Sequence, residues 1–292
     1  MSTETGIALA FVAMLCWGIG DFLIQKSTRK FGNFETIFLI TGFGALVLLP
    51  FVYRDIIGLF AEASRVTLWI LLGTGALHLL AALLELESLR VGKIAVVEPI
   101  WSLEILAASF FAYLILGESL SFTEFLLVMS LMVGLMLVSF HGRLFSKRHF
   151  LERGVYFALA GALTMGTAAF FTGWSARLTD PLMTNFIVNI FLMLSSGSYL
   201  LCTGTLARPF RHIISETRTV LPMVIADNAA WIAYAVALTL IPIGIGTALS
   251  ESYIIIAVIL GLAIGKERLE SHQKVGLILA IISALTLAAV TV

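Results

Sequence analysis

Asp21, Glu98, Glu104, Asp227 and Glu251 each interrupt a stretch of sequence that is otherwise almost wholly apolar. A charge at mid-bilayer costs roughly 3 kcal/mol even on the most lenient insertion scale, so each of these carboxyls must meet water, find a partner or carry a proton. Basic partners at that depth are few, because Arg90, Lys93 and Arg177 lie near the ends of their apolar segments. The set therefore reads as protonated carboxyls, or as a site that receives cations. For any single acid, a hydrogen bond between helices or a side chain reaching back to the rim is the structural alternative.

The densest group lies in the fourth apolar segment, where Glu98, Pro99, Trp101, Ser102 and Glu104 fall within two turns. Pro99 lacks a backbone donor and its ring crowds the preceding turn. In lipid the freed carbonyl must be met by protein or by cavity water, and a broken helix beside an acid is a recurrent way to line a solute or ion site. At about 100° per residue Glu98 and Ser102 share a face, while Glu104 is turned about 120° from Glu98. Glu98 is thus expected to point into a cavity and Glu104 to pack on a neighbouring helix. In the ninth segment Glu251 follows Pro242, Gly244 and Gly246, a loosened entry that mirrors the fourth. Trp101 and Tyr253 offer aromatic walls, which attract a dry cation by up to about 2 kcal/mol. Packing and interface anchoring are the other uses of such rings.

Asp227, Trp231 and Tyr234 are spaced i, i+4, i+7 in the eighth segment and share one face. His78 in the third has Glu85 on the same face, and its ordinary pKa near 6.5 suits a proton relay as well as a plain hydrogen-bonding role. Trp17, Asp21 and Gln25 form a stripe in the first segment, and Asn185 and Asn189 a pair in the seventh. Both patterns fit hydrogen bonds between helices, worth roughly 0.6 kcal/mol each.

The elements that must hold these residues follow from composition. Hydrophobic residues make up 60% of the 292 and charged residues 12%, far from the roughly one quarter charged in soluble proteins. A crossing helix needs about 20 apolar residues, and ten such spans fit: roughly 6–25, 33–53, 66–89, 93–116, 121–140, 153–175, 181–203, 218–240, 244–265 and 272–291. The chain is also duplicated. Gly6 to Phe140, with its Gly117-Glu118-Ser119-Leu120 turn, is echoed by Gly154 to Val292, with Lys266-Glu267-Arg268-Leu269. Five spans per copy is an odd number, so the second copy enters from the opposite side. The expected fold is an all-α integral membrane bundle of ten transmembrane helices arranged as two inverted five-helix repeats, residues 1–140 and 154–292, joined by a loop at 141–153. Of the 18 Lys and Arg, all but Arg54, Arg65 and Arg177 fall on one face. The positive-inside rule makes that face cytoplasmic and puts both termini outside.

The Trp17-Gly18 pair, the Leu116-Gly117-Glu118 turn and the matching Gly265-Lys266-Glu267 turn resemble the EamA family of the drug/metabolite transporter superfamily over essentially the whole chain. The resemblance implies a secondary carrier that moves small metabolites or drugs by alternating access, with the third, fourth, eighth and ninth helices around a central cavity. It also implies the opposite orientation of the termini. Met165-Gly166 stands where the second copy would repeat Trp-Gly.

The expected function is that of a permease for small organic solutes, with Glu98 or Glu251 coupling to protons, in a multi-pass protein of the cell membrane. The acidic, aromatic set favours cationic or zwitterionic substrates over phosphorylated anions. Zero formal net charge gives no support to a nucleic-acid partner. Two isolated cysteines, Cys16 and Cys202, suggest neither a metal site nor a disulfide. With no phosphate-binding Gly-x-x-x-x-Gly-Lys-Ser/Thr loop, no nucleotide or other cofactor is expected. The competing classes are a lipid-modifying membrane enzyme, for which the loop histidines lack acid partners at ligand spacing, and a passive channel, which an inverted repeat does not favour.

Overall fold

The computed structural model describes residues 2–91, 99–139, 153–264 and 269–292, and all regular structure among them is helical. Twelve helices follow in order: α1 Thr3–Phe31, α2 Asn33–Glu62, α3 Arg65–Val91, α4 Glu104–Leu116, α5 Phe122–Ser139, α6 Arg153–Leu178, α7 Pro181–Cys202, α8 Arg208–Ser215, α9 Thr217–Leu240, α10 Ile243–Ser250, α11 Tyr253–Ile264 and α12 Ser271–Thr291. Among the described residues nine helical segments are long and apolar enough to cross a membrane. Pro99–Leu116 supplies the fourth span, and the shorter apolar helix Ile243–Ile256 falls in the ninth. The chain is a multi-pass membrane protein of ten spans in two repeats.

The packing repeats with two-fold symmetry. α3 lies along α6 and α9 lies along α1, while α5 pairs with α12 and α2 with α7. In span order these are 3 on 6, 8 on 1, 5 on 10 and 2 on 7, so exchanging the halves returns the same set of contacts. Span 5 meets span 10 at two glycines. A β-carbon on Gly134 would stand 2.7 Å from the Ala280 nitrogen, and one on Gly276 would stand 2.7 Å from the Val138 nitrogen. Helix ends are set by local capping: Asp180 accepts from the Leu182 and Met183 amides behind Pro181, and Glu270 with Gln273 closes a capping box on α12.

Three expectations change. α1 and α2 run past their apolar stretches into the headgroup region, so Arg54 lies within a helix that continues to Glu62. The connection after α7 contains α8, a helix too short to signal itself by periodicity. The ninth span is not loosened at Gly244 and Gly246, which are helical; it breaks at Glu251 and Ser252. Those glycines serve close packing instead, with Gly244 against Ser109 of α4 and Gly246 against Leu238 of α9.

Candidate functional site

Two membrane spans are interrupted at equivalent points. In the fourth, a helical turn at 99–101 gives way to a turn at Ser102 and Leu103 before α4; in the ninth, α10 ends in a turn at Glu251 and Ser252 before α11. Two backbone bonds repeat. The Leu103 amide donates to Ile100 O and that of Leu106 to Leu103 O, and 149 positions later the Ser252 amide donates to Leu249 O and that of Ile255 to Ser252 O. These are tight three-residue turns, and in them Ser102 and Glu251 are equivalent.

Each break is braced by a glycine on a crossing helix. A β-carbon on Gly18 of α1 would come within 2.8 Å of Ile256 and 3.3 Å of the Tyr253 carbonyl oxygen. One on Gly166 of α6 would come within 2.4 Å of the Glu104 carbonyl oxygen and 2.7 Å of Ala107. Tyr253 and Glu104 are themselves repeat mates, each opening the helix after its break. Only glycine lets α1 and α6 approach so closely, which explains why the glycine of the Trp-Gly pair recurs although the tryptophan does not.

Around these breaks the structure gathers an aromatic cluster. The Trp17 ring meets Trp231 edge-on at 5.0 Å and Tyr234 at 5.2 Å, and Trp231 meets His78 at 4.9 Å. Tyr253 packs on the same cluster. The Tyr234 hydroxyl lies 2.7 Å from the Thr247 hydroxyl, which donates to Ile243 O, so the phenol donates to Thr247 and ties α9 to α10. His78 donates from Nδ1 to Thr74 O at 2.8 Å, leaving Nε2 as an acceptor 3.5 Å from Thr172 Oγ1. Glu104 and Glu251 lie within electrostatic reach of the Tyr234 hydroxyl, and Glu85 of α3 lies within reach of Glu251. Asp227 is buried one turn before Trp231, whose side chain interacts with it. Trp101 Nε1 and Ser102 Oγ are buried and have no hydrogen-bond partner among the described residues.

The structure thus brings Trp17, His78, Glu104, Trp231, Tyr234, Glu251 and Tyr253 together, with Asp227 on the flank and Trp101 and Ser102 at the neighbouring break. Glu98, the residue expected beside the kink, and the side chain of Asp21 lie outside the described residues. The turn that precedes Pro99, where its ring would act, lies outside the described residues; within them the fourth span breaks after Trp101, at Ser102 and Leu103. Asn228 bonds Ile40 O at 3.0 Å and receives Asn189 at 3.3 Å, and Asn185 bonds Trp231 O at 3.3 Å. This polar seam holds spans 2, 7 and 8 together behind the cluster.

Sequence reasoning passed over an ionic knot at one end of the bundle. Gly117 takes a left-handed conformation with φ of 68°, and the Glu118 amide bonds back to Ala112 O, a helix-closing turn that projects Glu118 outward. Glu118 pairs with Arg177 and receives the Ile243 amide at 2.8 Å, while Arg177 also donates to Leu238 O and Ile241 O at 2.8 and 3.0 Å. One ion pair thereby closes the C-terminus of α9 and the N-terminus of α10. The available signal was the isolation of Arg177 among the basic residues of its face.

The family model described as the EamA-like transporter family matches residues 4–140 and 152–289. No curated protein matches the chain. A crystal structure of a protein superposes with a TM-score of 0.74 at 16% identity, over 98% of this chain and 97% of that one, and so shares the fold.

Proposed function

From the premise that this chain belongs to the EamA-like transporter family, we propose that it is a secondary active permease of small organic solutes, working by alternating access and coupled to protons through Glu251. The observation that carries the reading is the pair of equivalent helix breaks with unlike side chains, a buried serine hydroxyl and indole N–H on one side and a carboxyl on the other. Buried polar groups without partners among the described residues call for one, and a solute with hydrogen-bond acceptors supplies it to Trp101 and Ser102. The rings of Trp17, Trp231, Tyr234 and Tyr253 suit an organic body. Glu251, with Glu85 near it, suits a positive group, so amines and zwitterions are favoured over organic phosphates. Proton coupling follows if one proton is shared by this acidic pair and released when a cationic solute takes its place, since like charges in close apposition do not both ionise readily. Asp227 and His78 are proposed as flanking groups, Glu104 as a packing carboxyl, and the cell membrane as the location. Glu98 and Asp21 remain proposed coupling groups on sequence grounds.

The test is a thermal-stability screen of the purified protein against amines, amino acids and organic phosphates. A ligand at a hundred times its Kd stabilises by about 2.7 kcal/mol. The expected result is stabilisation by an amine or zwitterion, lost in Glu251→Gln and retained in Ser102→Ala at reduced affinity. In proteoliposomes, uptake of that solute should follow an imposed pH gradient in the wild type and ignore it in Glu251→Gln. Hits confined to organic phosphates would overturn the substrate class, and wild-type uptake indifferent to the gradient would overturn the coupling.

A further inference from the structure

α8 sits at the basic face of the bundle, away from the aromatic cluster, and its residues sort into three directions. Pro209 is buried and His212 faces inward, stacked on Phe31 at 4.0 Å and bonded to Glu35 at 2.9 Å. Phe210, Ile213 and Ile214 are exposed, Ile214 to 82%. Arg208 and Arg211 project on the remaining side. A helix anchored on one flank, apolar on the second and basic on the third lies in a membrane interface.

Below it, Leu39, Phe43, Ile213, Thr217, Val220, Leu221 and Val224 line an almost wholly apolar groove of about 110 Å³ between α2, α8 and α9. Arg218 follows groove-lining Thr217 and tops an outward stripe on α9 that continues through exposed Leu221 and Ile225 at i+3 and i+7. The nearby carboxylates are committed elsewhere: Glu35 to His212 and Arg208, Glu216 to Lys30. Arg211 and Arg218, each within two residues of a groove-lining residue, Ile213 and Thr217, thus stand beside an apolar groove with no carboxylate partner among the described residues.

We propose that this corner binds an anionic phospholipid, with an acyl chain in the groove and the phosphodiester between Arg211 and Arg218. Charge complementarity selects the headgroup, and the groove requires the chain, so a free phosphate satisfies only half of the site. The site is separate from the solute cluster, and the inference does not depend on the transport reading.

The experiment is native mass spectrometry of the detergent-purified protein with dioleoyl-phosphatidylglycerol and dioleoyl-phosphatidylcholine in competition. Two basic residues at the surface predict a preference for phosphatidylglycerol of roughly thirtyfold, falling to about fivefold in Arg211→Gln or Arg218→Gln and to about parity in the double variant. Arg54→Gln/Arg65→Gln, at the other end of the bundle, should keep the full preference. Both groove arginines are exposed, so the variants should melt as the wild type does in phosphatidylcholine. A preference that survives the double substitution, one that Arg54→Gln/Arg65→Gln also removes, or displacement of the lipid by glycerophosphate at equal concentration would each overturn the assignment.

Discussion

At its interruption the fourth span reads Trp101-Ser102-Leu103, and the ninth reads Ser250-Glu251-Ser252. Their backbones make the same turn with the same pair of short-range bonds, and each turn is pressed by a glycine from a crossing helix. Their side chains share nothing comparable: one break holds neutral groups without partners among the described residues, the other a carboxyl with a second carboxyl near it. Duplication has supplied the bend twice, and divergence has placed neutral side chains at one break and a carboxyl at the other. Backbone symmetry and chemical asymmetry answer to different constraints. The turn recurs with the packing of the halves, whereas an acid at Ser102 would add a further carboxyl to a site that already holds Glu85, Glu104 and Glu251.

The largest effect expected from breaking this relation lies at the ionic knot, which restrains the entry to the ninth span. Arg177→Gln removes a guanidinium that serves Glu118 and two carbonyls, and should cost about 2–3 kcal/mol, a figure already reduced because the Arg177 side chain is 28% exposed. Glu118→Gln keeps an acceptor for the Ile243 amide and should cost less. Unfolding in a graded detergent series measures both. A loss for Arg177→Gln no larger than that for Glu118→Gln would show that the carbonyl contacts contribute nothing.

The bracing glycines sharpen the comparison directly. Alanine at 166 meets a carbonyl oxygen, which cannot step aside without moving the helix, and overpacking of this kind costs about 1–3 kcal/mol. Alanine at 18 meets mainly the Ile256 side chain, and its better helix propensity returns up to about 1 kcal/mol. Gly166→Ala should therefore destabilise more than Gly18→Ala in thermal denaturation. The reverse order would mean that the first repeat, not the second, has the tighter crossing.

Much of this architecture is legible in sequence, because ten stretches of spanning length and a repeated Gly-Glu turn leave few folds open. The shared face of Trp231 and Tyr234 follows from helical spacing alone. The position of the breaks does not. In the ninth span Gly244 and Gly246 draw attention to themselves, yet the helix yields at Glu251, because those glycines are spent on contacts with Ser109 and Leu238 that only the assembled bundle reveals. The Glu118 to Arg177 pair joins residues far apart in the chain, and local patterning is silent about such contacts. α8 is too short for periodicity to announce it.

The smallest effect should come from the ion pair at the opposite end, Lys30 with Glu216 at the start of α9. Its side chains are 53% and 27% exposed, against 28% and 17% for Arg177 and Glu118, so water and salt screen it more fully. The Lys30 ammonium, by hydrogen bonding, holds the Glu216 carboxyl below its ordinary value of 4.5. A carboxyl depressed in the folded state contributes stability that is complete above its unfolded pKa and is lost as pH falls through the folded one. Wild-type protein should thus lose a little stability on acidification below about pH 4.5 at low salt, and Lys30→Gln should lose less over the same range. If the two acid profiles coincide, the pair is an ornament of the surface, and the ends of the bundle differ in kind rather than in degree: one closed by a shielded knot, the other held by the stacking of His212 on Phe31 and its bond to Glu35.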